Sequence, residues 1–245
     1  MSPTSALDGF FFYLFLPSMT ILSILVARIY NQKHDQSNKF TSISSGVMIG
    51  NILYSLFSVI TVLFMYLYIL DLSILKESTW QFLTLASFIF FFLIIGIGLG
   101  AHAAGVAFET QLRQHLPKNE YASISQTIHL YHSFLGHKLP FTGLLLISYS
   151  LTLLDLFKGQ LTIMSNIHLY LSIFSGIILG SLISFIAIIT YSQNILKRTS
   201  AIIIISIIIT TLNENITIEF HPVAITFTSL YSTILVLLSI ESYLP

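Results

Sequence analysis

No cysteine occurs among the 245 residues. That excludes disulfides, iron–sulfur ligation, thiolate catalysis and thioether attachment of a haem. Charge is scarce as well. Only 8% of residues are Asp, Glu, Lys or Arg, against roughly 25% in a soluble domain, which is too little to cover a water-facing surface. Positive and negative charges cancel and the pI is about 7.1, so no basic face offers itself to nucleic acid. GxSxG, P-loop and Rossmann glycine patterns are missing, and no lysine in a late apolar run could carry a retinal Schiff base. Residues 1–9 lack the positive stretch of a cleaved signal peptide, so the first apolar run is expected to be retained.

What is present is hydrocarbon. Hydrophobic residues make up 55% of the chain and mean hydropathy is +0.87. About 20 apolar residues cross the roughly 30 Å of a bilayer core. Apolar runs at residues 10–27, 47–70, 80–108, 134–154, 167–191, 200–212 and 221–240 predict an all-α polytopic bundle of seven transmembrane helices. Trp80 is placed as an interfacial anchor. The sixth run is short for a span. No linker or extra-membrane segment divides the chain, so residues 1–245 form one integral membrane domain. Alternation puts Arg28, Lys33, Lys39, Arg113, Lys118, Lys138, Lys197 and Arg198 on one side and Lys76 and Lys158 on the other. Basic loops stay inside. The expected N-terminus is therefore outside and the C-terminus inside, in a bacterial inner, thylakoid or mitochondrial inner membrane. If the sixth run dips in and returns, His221 changes sides.

The remaining polar chemistry gathers between Ala101 and Gly143. His102, His115, His129, His132 and His137 lie there with Glu109, Arg113, Lys118, Glu120 and Lys138. An ionisable group inside a membrane is costly and is by default a functional candidate. Helical neighbours come at three and four. Gly98, His102 and Gly105 share one face of the third span. His129, His132, Gly136 and Gly143 share a face of the fourth, and His168, Ser172, Gly176 and Gly180 a face of the fifth. A histidine beside a strip of small residues is what a flat macrocycle between helices needs. The cofactor expected on this ground is haem b, held by His102 with His129 or His132. A second haem between His168 and His221 depends on the sixth span. Gly98, Gly105, Gly136, Gly143 and Gly176 would face the ring. His137 lies one residue off the glycine face and is read as a hydrogen-bonding or proton-handling residue. His34 and His115 are read as solvated, and Glu109 with Arg113 as a helix-end ion pair. Two other readings use the same residues. Small residues also let helices pack closely in lipid while histidines bond across them. Alternatively, His102, Glu109, His129, His132 and His137 gather at one interface as the ligands of a metal-dependent membrane oxygenase.

His132, Leu135-Gly136, Thr142-Gly143 and His168-Leu169 resemble small membrane b-type cytochromes, the ascorbate-reducible di-haem group and related four-helix families of cyanobacteria and plastids. The resemblance covers about 50 residues. It implies a haem-bearing subunit that moves electrons, with a quinone and other membrane subunits as partners alongside the lipid bilayer. The chain departs from those families in having no histidine within residues 197–201, where a further ligand would stand. The alternative function is a non-catalytic accessory or assembly subunit of a respiratory or photosynthetic membrane complex.

Overall fold

The computed structural model describes residues 78–157 and 165–242, together with Phe11, residues 15–18, Ile21, Ile60, Leu63 and Leu67. The regular structure of the two continuous stretches is entirely helical. In order come α1 (Ser78–His115), α2 (Lys118–His129), a π-helical segment (Leu130–Lys138), α3 (Leu139–Phe157), α4 (Asn166–Ile189), α5 (Gln193–Asn213), a 3-10 turn (Ile218–Phe220) and α6 (Pro222–Glu241). Among the described residues five helical stretches are long and apolar enough to cross a membrane: Ala86–Glu109, Asn119–Phe157, Asn166–Ile189, Gln193–Asn213 and Pro222–Glu241. They correspond to the last five of the seven expected runs. The runs at 10–27 and 47–70 lie outside the described residues except for isolated positions, as does the side chain of Trp80.

Two boundaries differ from expectation. The fourth span does not begin near residue 134. α2, the π-helical segment and α3 form one unbroken helix, apolar enough to span over 39 residues from Asn119 to Phe157. At 1.5 Å per residue that is roughly 58 Å, nearly twice the hydrocarbon thickness. The polar α2 therefore projects beyond the apolar slab. The sixth span begins not at residue 200 but at Gln193, and its 21 residues reach about 31 Å. Gln193, Asn194, Lys197 and Arg198 lower the hydropathy but do not break a helix.

Helix direction follows from the glycine contacts. Gly176 on α4 abuts the Thr226 carbonyl on α6, and Gly180 abuts the Leu230 carbonyl. A step of four along one helix is a step of four in the same direction along the other, so α4 and α6 are parallel. α5 must then carry the chain back across the same thickness. Its 21 residues are long and apolar enough to span. α1 and the helix containing α3 are antiparallel, since Gly98 meets Pro140 whereas Gly105 meets His132.

The core lies where α3, α4 and α6 meet, around Leu145, Ile147, Leu151, Leu179, Tyr231 and Ile234. The Tyr231 hydroxyl donates to the Leu145 carbonyl at 3.2 Å and pairs with Ser148 Oγ at 2.8 Å. Asp155, fully buried at the end of α3, accepts the Ala224 N–H at 2.9 Å. That bond satisfies one of the orphan donors in the first turn of α6 and sets a carboxylate at the positive end of its dipole. Large apolar side chains point outward, among them Ile202, Ile205, Ile209 and Leu212 on α5. That is the surface lipid contact requires.

Candidate metal centre

Four glycines set the distance between α1 and the long helix facing it. A Cβ on Gly105 would lie 2.7 Å from the His132 Cα, and one on Gly136 would lie 2.7 Å from the His102 Cα. Each histidine backbone thus rests on the glycine of the opposite helix. Gly98 receives the Pro140 ring, 2.2 Å from where a Cβ would stand, and Gly143 receives Ile95. Gly176, on α4, seats α6 in the same way. The five glycines expected to face a macrocycle therefore face the neighbouring helix. Small residues let backbones approach without a side chain between them, and the close dispersion contact holds the pair in lipid.

The π-helical turn decides which rings meet. Pro140 has no N–H to give the Gly136 carbonyl, and its ring crowds that carbonyl in a regular α-helix. Widening the preceding turns relieves the crowding. Within Leu130–Lys138 the hydrogen bonds run from i to i+5, so residues five apart come round to the same face, turned by only about 50°. His132 and His137 are such a pair. On an α-helix they would diverge by about 140°. Here both face α1 and meet His102.

The three rings lie close together. Centroid separations are 4.9 Å for His102 and His132, 4.6 Å for His102 and His137, and 5.4 Å for His132 and His137. One nitrogen from each ring lies within 4.8 Å of the others, with His102 buried and the other two half-buried. Glu109, two turns after His102 on α1, sets its Oε2 2.9 Å from His132 Nδ1. With the carboxylate accepting, Nδ1 carries the proton and Nε2 keeps its lone pair. A carboxylate behind a ligating imidazole is the usual orienting partner in metal sites. A tetrahedral ion about 2.1 Å from each nitrogen needs them roughly 3.4 Å apart.

Of the expected ligands, His102 and His132 are in the trio. His129 is not: it lies on the exposed side of the helix, because the wide turn begins directly after it and shifts the register. His137, read from the sequence as a hydrogen-bonding or proton-handling residue and as a ligand in the oxygenase alternative, is the third ring of the trio. The signal was the His-x-x-x-x-His spacing with Pro140 three residues beyond, which marks a distorted turn. His168 is half-buried near the start of α4. His221 is 1% exposed just before α6, and neither of its ring nitrogens has a hydrogen-bond partner among the described residues. Both stand at the end of the bundle away from the trio. Among the described residues, His102, His132 and His137 form the one group of three or more side chains placed to share an ion. His115 is exposed at the end of α1, and the Arg113 side chain of the expected pair with Glu109 is outside the described residues. No family model, curated protein or solved structure matches this chain, so the role of the trio has to be read from its own geometry.

Proposed function

We propose that this chain is an integral membrane metalloprotein that binds one transition-metal ion through His102, His132 and His137. The observation that carries the proposal is the convergence of three imidazoles from two antiparallel helices, one of them oriented by a carboxylate. Three neutral imidazoles suit zinc, copper, iron or nickel. They also leave one tetrahedral position open, as in catalytic rather than structural sites. A bare ion fits the packing better than the expected haem b. A porphyrin bracketed by His102 and His132 would need the space in which Gly105 and Gly136 hold the two backbones together. A copper or iron ion would retain the expected electron-transfer role, with a quinone or another membrane subunit as partner. Zinc would supply Lewis-acid chemistry instead. In the membrane the proposed arrangement keeps the N-terminus outside and the basic loops inside.

Metal analysis and a visible spectrum of the same purified, detergent-solubilised sample test this. About one equivalent of zinc, copper or iron per chain is expected, without a Soret band, falling to background in His102→Ala and His137→Ala. A Soret band lost in His102→Ala would establish the haem instead. A protein that takes up no ion from zinc, cobalt or copper solutions would return the histidines to hydrogen bonding within an accessory subunit.

A further inference from the structure

A cavity of about 600 Å³ opens beside the trio, lined by Glu109, Tyr121, Ser125, Gln126, His129 and His132. His132 is the one residue common to the cavity lining and the trio. Ile128 and the Tyr121 ring supply apolar wall, and Glu109, Ser125, Gln126, His129 and His132 supply oxygen and nitrogen groups that a hydrated metal ion can meet. Among the described lining residues Glu109 is the one carboxylate, and its oxygens suit a hard or borderline cation. The cavity sits where the polar α2 joins the π-helical segment. By the length of the long helix, that is the boundary between the apolar slab and water. His102, the buried member of the trio, is not part of the lining.

Building on the metal centre proposed above, we propose that this cavity is the port through which a divalent cation enters from the aqueous side and is handed to the trio at His132. Glu109 draws the hydrated ion in, and His129 offers a transient nitrogen before His132 takes it. The hand-off exchanges water ligands for imidazoles and changes no oxidation state. His129 thus has a role that explains its position outside the trio. A port controls how fast the ion arrives, not how tightly it is finally held.

The test is stopped-flow loading of chelator-stripped, full-length protein with cobalt(II), followed by its visible absorption, with equilibrium stoichiometry measured on the same samples. Ser125→Trp narrows the cavity from α2 and leaves all three trio residues in place. Its loading rate should fall at least about tenfold with full stoichiometry at equilibrium. Glu109→Gln keeps an acceptor for His132 but removes the charge. Its loading should be about tenfold slower at low salt, a field effect of the size charged clefts exert on association, and the gap should close in high salt. Wild-type loading rates in Ser125→Trp, or a Glu109→Gln deficit that ignores salt, would overturn the port. Wild-type protein that binds no cobalt at equilibrium would overturn the metal centre itself, which is a separate result.

Discussion

Two seams hold this bundle together, and they use the same device for different ends. Between α4 and α6, Gly176 and Gly180 seat two parallel helices. Buried hydroxyls along that seam bond back to their own helices: Ser184 to the Gly180 carbonyl and Thr226 to the Pro222 carbonyl. Between α1 and the long helix, Gly105 and Gly136 do the same for an antiparallel pair, but the residues they seat are histidines. On α4 and α6, Ser172 and Thr228 keep buried hydroxyls without a partner, but among the described residues no three ligand-bearing side chains converge at that first seam. The second turns three imidazoles toward one point. Glycine packing is a means of helix association at both seams, and among the described residues three imidazoles converge where a wide turn aims them across the contact.

The comparison breaks most visibly at Gly176. Gly176→Val would drive a side chain into the Thr226 carbonyl, since a Cβ there would lie 2.2 Å away. A loss of about 3 kcal/mol is expected, at the upper end of overpacking costs, read as a lower melting temperature in detergent. Ion content per folded chain should stay the same. An ion lost in proportion to stability would mean that the seams are not independent.

Pro140→Ala attacks the other seam through its backbone. The restored N–H can bond the Gly136 carbonyl, the wide turn tightens, and His137 swings off the face of His132. Ion affinity should fall about 100-fold, the upper end for loss of ligand orientation, with little change in melting temperature. Competition with a fluorescent chelator measures it. Unchanged affinity would show that the π-helical turn persists without proline.

Glu109→Ala leaves all three ligands but removes the oxygen 2.9 Å from His132 Nδ1. An affinity loss of about tenfold is expected. Equal affinity in this variant and the wild type would reduce Glu109 to a role in the cavity alone. The smallest effect belongs to Tyr231→Phe. Its hydroxyl bonds Ser148 and the Leu145 carbonyl, while Ser148 keeps carbonyl partners on its own helix. A cost of about 1 kcal/mol in stability is expected, with ion affinity unaltered.

Much of this was legible in the chain. Scarce charge and long apolar runs require helices that satisfy their own backbone in lipid, because hydrocarbon offers no hydrogen bonds. The crowding of His102, His132 and His137 with Glu109 between residues 101 and 143 marked the place where polar groups need a reason to be. The glycines at 98, 105, 136 and 143 marked a close approach. Which partner fills that approach is decided only when two helices meet, and here it is another backbone. Which ring, His137 or His129, lies beside His102 was also decided above the level of sequence pattern. A 3.6-residue period projects the two to the wrong faces, and the wide turn ahead of Pro140 changes the period over nine residues. The reach of α5 back to Gln193 and the parallel run of α4 and α6 likewise depend on packing. Hydropathy counts transfer energy residue by residue, whereas ring convergence and helix direction are properties of surfaces that exist only once the helices are side by side.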